Sequence, residues 1–333
     1  MRVVVTGASG NVGTSLLRVL ADEDGVDEIV GLARRRPARE LPKTEWRTAD
    51  VERDDLVPLF RRADCVVHLA WRIQPSHDLP SLRRTNVAGS ERVFHAVAEA
   101  GVPSLVYGSS VGAYSPGPKD RRVDESWPTE GTPTSFYARH KAEVERLLDR
   151  FQLDRAETRV VRLRPGLIFK RGSAEEQRRY FLGPLFPRPL ARRGALALVP
   201  DIDGLRVQAV HTRDVAEAYR LAVVGDASGP FNIAAEPVLD ARTLAQALGA
   251  RVLPVPVGAA KAGMAATWRL RLQPTPPGWL DMGLSVPLMD TTRAHDVLGW
   301  EPSRSSLEAI RDVLSGIAEA EGEPTPPLQS ARR

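Results

Sequence analysis

Tyr137 and Lys141 stand four residues apart in Ser135-Phe136-Tyr137-Ala138-Arg139-His140-Lys141, and on a helix that spacing puts both side chains on one face. An ammonium beside a phenol favours the phenolate. The Tyr137 hydroxyl, ordinarily titrating near pKa ~10, is therefore expected to move toward the working pH. There it would exchange a proton with an oxygen that becomes, or ceases to be, a carbonyl. A second signal lies at the N-terminus, where Gly7-Ala8-Ser9-Gly10-Asn11-Val12-Gly13 follows Arg2-Val3-Val4-Val5-Thr6 and opens a helical apolar pattern at Val12, Leu16, Leu17 and Leu20. A strand, a glycine turn and a helix N-terminus let backbone amides approach a pyrophosphate, helped by the positive end of the helix dipole. Gly7, Ser9, Gly10, Asn11, Val12 and Gly13 are thus candidate cofactor contacts, although the spacing is G-x-x-G-x-x-G rather than G-x-G-x-x-G.

The choice of dinucleotide is read from the second strand. An acid about 20 residues beyond the glycines accepts from ribose hydroxyls, whereas an arginine there meets a 2′-phosphate. Ile29-Val30-Gly31-Leu32-Ala33 runs into Arg34-Arg35-Arg36 without an acid. Arg34 and Arg35 are therefore expected at that phosphate, with NADP(H) favoured and NAD(H) the alternative.

These residues need a frame. Apolar strands fit near 2–6, 27–33, 45–48, 64–70, 103–108 and 158–164, alternating with helices near 11–21, 52–61, 80–100 and 134–152. That alternation marks an α/β fold with a Rossmann-like, doubly wound parallel sheet covered on both faces. Residues 115–133, rich in Pro and Gly, read as a loop over the site. Beyond Arg164 the pattern breaks down, until Val207–His211 and Pro230–Ala234 return to the sheet around a helix at 212–224. The Pro-rich segment 321–333 reads as a flexible tail.

Composition narrows the function classes. With 333 residues, 42% hydrophobic and 26% charged, the chain can bury a large core. Its single cysteine, Cys65, sits in an apolar strand, so no internal disulfide forms. Together with the lack of a signal peptide pattern or an apolar run of ~18 residues, this predicts a cytoplasmic protein with no membrane partner. The net charge of +4 comes from arginines scattered among nearly as many acids. Without a concentrated basic face interleaved with aromatics, no nucleic acid partner is expected. The six histidines show no metal-ligand spacing, so no metal is expected.

From Val3 to about Ala320 the motifs, taken in order, resemble the extended short-chain dehydrogenases/reductases of the NAD-dependent epimerase/dehydratase family. They are the glycine turn, Thr48-Ala49-Asp50-Val51, His68-Leu69-Ala70, Thr85-Asn86-Val87-Ala88-Gly89, Val106-Tyr107-Gly108-Ser109-Ser110 with Tyr114, Tyr137/Lys141, Arg164-Pro165-Gly166, His211-Thr212-Arg213-Asp214 and Leu298-Gly299-Trp300. The resemblance implies that Ser110, four before Tyr114, joins Tyr137 and Lys141 in catalysis, and that Lys141 also bonds the nicotinamide ribose. It implies that Asn86 helps hold a proton-relay water and that Asp50 accepts from the adenine amino group. Val51, Leu69, Ala70 and Pro165 would line the cofactor. It further implies a dinucleotide-binding domain at 1–168 and 206–235, a smaller, discontinuous C-terminal substrate-binding lobe at 169–205 and 236–320, and a homodimer through helices near 80–100 and 134–152.

Departures from the family pattern restrict the chemistry. Dehydratases of the family carry an Asp-Glu pair after the active hydroxyl residue, where this chain has Val111 and Gly112, so elimination of water is disfavoured. The function expected is an NAD(P)(H)-dependent oxidoreductase, transferring hydride between nicotinamide and the carbonyl or secondary alcohol of a small molecule. Trp268, Trp279, Met264 and Met282 would line an apolar pocket. One alternative is a nucleotide-sugar epimerase with an internally recycled cofactor, its diphosphate met by Lys170, Arg171, Arg178, Arg179, Arg188, Arg192 and Arg193. Another is a non-catalytic dinucleotide-binding sensor, against which the retention of Ser110, Tyr137 and Lys141 argues.

Overall fold

A computed structural model describes residues 1–38, 40–73, 78–183 and 186–330. Its main sheet has seven parallel strands: β1 (Arg2–Thr6), β2 (Glu28–Ala33), β3 (Thr44–Thr48), β4 (Cys65–His68), β5 (Ser104–Gly108), β6 (Arg159–Pro165) and β7 (Gly229–Ile233), in the spatial order β7-β6-β5-β4-β1-β2-β3. Successive side chains of a strand point to opposite faces. Val3 and Val5 accordingly pack toward α1 (Asn11–Ala21), while Val4 packs toward α2 (Gly89–Glu99) and α3 (Phe136–Asp154). A fourth helix, α4 (Thr212–Val224), shares the α1 face through Val215, Ala218 and Tyr219. Both faces of the sheet are thereby covered, as a parallel sheet requires.

The strand order reverses between β1 and β4, which opens a crevice at the carboxyl ends of the strands. Residues beyond β6 close over it. A three-stranded sheet joins residues 167–169, 207–211 and 235–239, and the strands at 198–201 and 251–254 pair with one another. From this part of the chain, α5 (Gly278–Ser285) reaches the start of α3.

Three expectations are corrected. Val207–His211 does not rejoin the main sheet but belongs to the three-stranded one, leaving β7 as the strand that returns beside β6. The helix foreseen at 52–61 shrinks to residues 57–60, because Asp50 and Asp55 side chains take the amides of Glu52 and Val57 and hold turns instead. The segment 321–330 is packed rather than frayed. Thr325 and Leu328 are fully buried, and Glu323 pairs with Lys170 at 2.7 Å and Arg18 at 2.5 Å. Among the described residues, no helix is long and apolar enough to cross a membrane.

Candidate active site

The glycine turn is shaped by close approach. Gly7 has φ +69°, and a Cβ there would lie 2.6 Å from the Ala70 nitrogen, while one at Gly13 would lie 2.5 Å from the Gly7 carbonyl oxygen. The Thr6 hydroxyl accepts from the Leu69 and Ala70 amides at 3.2 and 3.3 Å, locking the turn to the end of β4. Helix α1 begins at Gly10 without a side-chain cap and has no acid in its first turn. Its leading amides and positive dipole end therefore suit an anion, and the cradle fits a pyrophosphate. Asn11 ties the turn down, donating to Ile168 O at 3.4 Å and accepting from Thr212 at 3.1 Å. Arg34 and Arg35 stand exposed just past β2.

The catalytic candidates Ser110, Tyr137 and Lys141 converge where β5 ends. Ser110, in extended conformation, opens a short turn and accepts from the Gly112 amide at 3.0 Å. Tyr137 lies in the first turn of α3, capped by Ser135, with the Ser110 hydroxyl acting on its phenol. A Cβ on Gly112 would meet Tyr137 Cε1 at 2.9 Å, so a dehydratase-type acid at that position would displace the tyrosine. Lys141 Nζ, one helical turn further on, donates to Gly108 O at 2.6 Å and lies 3.5 Å from the Trp71 ring centroid.

This geometry overturns the expected lowering of the tyrosine pKa. Burial pushes the Tyr137 phenol up to about 12, with the Ser110 hydrogen bond acting the other way. Lys141 is turned away toward Gly108 and Trp71, its Nζ 5.9 Å from the Tyr137 ring centroid. Burial also holds the Lys141 ammonium well below its ordinary range, with Glu145 opposing.

Glu145 was missed by the sequence reading. It stands four residues beyond Lys141, so the same one-face spacing could have found it. Fully buried, it accepts from Ser109 at 2.5 Å, Arg162 at 2.9 Å, and Arg164 at 2.9 and 3.0 Å. Arg164 continues to the Tyr114 hydroxyl at 3.0 Å, which donates to Asn232 at 2.6 Å. The two guanidiniums and Ser109 bring the buried carboxyl down to about 2 against the opposing effect of burial. This network anchors the end of β5, where the chain turns into Ser110.

Asn86 and Asp50 are both engaged within the protein. Asn86 lies in a π-helical turn at residues 84–88, where its amide accepts from Arg72 N at 2.8 Å and donates to Arg72 O at 3.0 Å. Its own carbonyl accepts from Ser90 at 2.6 Å. Asn86 therefore pins the loop that carries Trp71. Asp50 accepts from the Glu52 amide at 3.0 Å and pairs with Arg53 at 3.4 Å, acting as a turn former. His68 bridges Thr6 at 2.7 Å and Ser90 at 2.9 Å, and burial brings its ring down to about 3, keeping it neutral. Val51 is buried, Leu69 and Ala70 border the glycine turn, and Pro165 ends β6.

The opposite wall is aromatic. Trp279 of α5 packs on the Tyr137 ring with centroids 5.1 Å apart, and Trp71 meets that ring edge-on at 6.0 Å. Phe136 and Phe181 stand edge-on to Trp279, and Met282 completes the cluster. Of the cations proposed for a diphosphate, Lys170 is engaged by Glu323 and Thr14, and Arg178 and Arg188 by Glu175. Arg171 pairs with Glu319, and Arg179 donates to Pro327 O and Gln329 O.

A parallel α/β fold with a glycine turn at its crevice and a Ser/Tyr/Lys cluster beside it defines a nucleotide-binding protein of the dehydrogenase/epimerase type. Residues 3–234 match the model of the NAD dependent epimerase/dehydratase family, and the chain belongs to that family. It is 28% identical over 320 residues to an uncharacterized protein of Mycobacterium tuberculosis, covering 95% of this chain but only 30% of that longer one. It is also 28% identical over 328 residues to UDP-glucose 4-epimerase of Mycolicibacterium smegmatis, covering 94% and 97% of the two chains. Among solved structures, the UDP-glucose 4-epimerase of Thermus thermophilus complexed with NAD superposes with a TM-score of 0.69 at 23% identity, covering 96% of this chain and all of that one. At that identity the likeness speaks for the fold.

Proposed function

We propose that this chain is a nicotinamide-dependent oxidoreductase that interconverts a carbonyl and a secondary alcohol on a small molecule, with Tyr137 as general acid/base. The juxtaposition of Ser110 and Tyr137 at the end of β5 carries this reading: it brings two hydroxyls to one side of the crevice, where a reacting oxygen could meet both. When bound, the nicotinamide supplies or accepts the hydride. Ser110 orients the substrate oxygen, Tyr137 gives it a proton during reduction or takes one during oxidation, and Lys141 holds the end of β5 through Gly108. The uncapped start of α1 would hold the pyrophosphate. Arg34 and Arg35 support a preference for NADP(H), and Asp50 an adenine contact.

Replacing Tyr137 by Phe is expected to leave cofactor affinity within twofold and to lower turnover at least ~100-fold, in line with the worth of a positioned acid/base. Fluorescence titration and steady-state rates read the two quantities, and unchanged turnover would remove Tyr137 from the mechanism. Arg34→Ala combined with Arg35→Ala should weaken NADPH far more than NADH in the same titration. An equal effect on both would end the 2′-phosphate argument.

The likeness to UDP-glucose 4-epimerase of Mycolicibacterium smegmatis over nearly its whole length favours a second reading, an epimerase that shows no net change in cofactor. The engagement of Lys170, Arg171, Arg178, Arg179 and Arg188 within the protein speaks for the reductase, which consumes NADPH in proportion to product. A sensor would bind the dinucleotide without turnover. We place the protein in the cytoplasm, as a homodimer paired through the helices near 80–100 and 134–152, with neither nucleic acid nor membrane as partner.

A further inference from the structure

Helix α1 carries a polar stripe on an otherwise apolar body. Asn11, Thr14, Ser15 and Arg18 fall at helical spacing along one side, and Thr14 and Ser15 are buried. Residues distant in sequence engage all four. Asn11 meets Ile168 and Thr212, and the Lys170 ammonium donates to the Thr14 hydroxyl at 2.7 Å and the Ser15 hydroxyl at 3.2 Å. Glu323 grips both cations of this side, Lys170 at 2.7 Å and Arg18 at 2.5 Å. Thr14 carries the contact inward. Its hydroxyl donates to Gly10 O at 3.0 Å, and the Gly10 amide donates to Gly7 O at 3.0 Å. A continuous chain of polar contacts, Glu323–Lys170–Thr14–Gly10–Gly7, thus joins the C-terminal segment to the glycine turn.

Residues 321–330 hold their end of this chain firmly. Thr325 and Leu328 are fully buried, Leu328 O accepts from the Glu323 amide at 3.0 Å, and Arg179 donates to Pro327 O at 2.6 Å. A Cβ on Gly172 would lie 2.6 Å from Glu323 Oε1, so the carboxylate is seated on the turn that follows Lys170. The Lys170 and Glu323 side chains are only 7% and 10% exposed, and an ammonium that loses its carboxylate in so dry a place is severely penalised. Against the opposing effect of burial, Lys170 and Arg18 hold the Glu323 carboxyl below its ordinary range.

Resting on the reading that the glycine turn and the start of α1 hold a pyrophosphate, we propose that the C-terminal segment is a working part of the dinucleotide site, with Glu323 as a positioning residue. Through Lys170 and Thr14 it fixes the turn at Gly7–Gly10 and the first amides of α1 in place before the ligand arrives, which spares binding the cost of ordering them. NAD⁺ and NADP⁺ share the pyrophosphate, so the segment serves both alike.

The test is calorimetric titration of NAD⁺ and NADP⁺ into the full chain and into Glu323→Gln, Thr14→Val and the double variant. Each single change is expected to weaken both dinucleotides about tenfold, by factors that agree within about threefold. The double variant should be at most about threefold weaker than either single one, because the two residues act as one relay; independent sites would multiply to about a hundredfold. In turnover the dinucleotide KM should rise by the same factor while kcat changes less than threefold. Hydrogen exchange without ligand reads the relay itself: amides of residues 7–15 should exchange several times faster in each variant, and those of α3 should not. Thermal unfolding checks that the variants fold, and Thr14→Val, which keeps shape and charge, judges the proposal alone if Glu323→Gln does not. Affinities unchanged in the folded variants would overturn this assignment and leave the pyrophosphate reading standing. So would tighter binding by Glu323→Gln, which would make Lys170 a ligand that Glu323 masks, or a loss confined to NADP⁺, which would move the effect to the 2′-phosphate. Binding of neither dinucleotide by the unaltered protein would remove the pyrophosphate reading and this assignment together.

Discussion

The wall built by α3 and β6 is ionic and dry, whereas the one brought by α5 is aromatic and nearly free of charge. On the first, Glu145, Arg162 and Arg164 are all at most 5% exposed and joined by several hydrogen bonds. A buried charge that loses its partner is severely penalised, so this wall has one arrangement, and Ser109, Ser110 and the lysine on α3 inherit its rigidity. On the second, Trp279, Phe136, Phe181 and Met282 meet through dispersion and weak ring geometry. Such packing tolerates exchange of shape at modest cost. The charged wall therefore holds the Ser110 end of β5 in one arrangement, whereas the aromatic wall can repack.

The sharpest break of this comparison is Glu145→Gln, which leaves the buried Arg164 guanidinium without a carboxylate and Arg162 with Asp149 alone. It is expected to cost about 3–5 kcal/mol, a fall in melting temperature of roughly 10 °C. Trp279→Ala, on a partly exposed side chain, should cost less than half as much in the same thermal scan; equal losses would erase the distinction between the walls. A smaller effect lies in pH. With Tyr137 raised to about 12, the protonated form that reduction needs persists throughout the range below that value. Reduction rates should stay flat between about pH 6 and 9, while oxidation, which needs the phenolate, should climb about tenfold per pH unit. A plateau in oxidation near pH 8 would show that a cation does govern the tyrosine after all.

Legibility in the sequence follows the same division. The sheet could be read because runs such as Val3-Val4-Val5 and Cys65-Val66-Val67 are buried on both faces, and the glycine turn because backbone approach excludes any Cβ there. Tyr137 and Lys141 were found by helical spacing. Their electrostatics were not, because that spacing says they share a face and nothing about where each side chain is drawn. The carbonyl of Gly108 and the ring of Trp71, both far away in sequence, decided that. Trp71 carried no local signal beyond following Leu69-Ala70. The C-terminal segment was misjudged because its prolines resemble those of disordered tails, while Leu328 and Glu323 find partners only through tertiary contacts.

The π turn at residues 84–88 shifts the phase of the helix it interrupts. An extra residue rotates what precedes it by about 100° relative to regular winding. Val93, Phe94 and Val97 downstream are keyed to the sheet, whereas Leu82 upstream is keyed to the cluster around Tyr137. One continuous rod thus answers to two registers, so drift in the half that borders the crevice leaves the half that clamps the sheet in step.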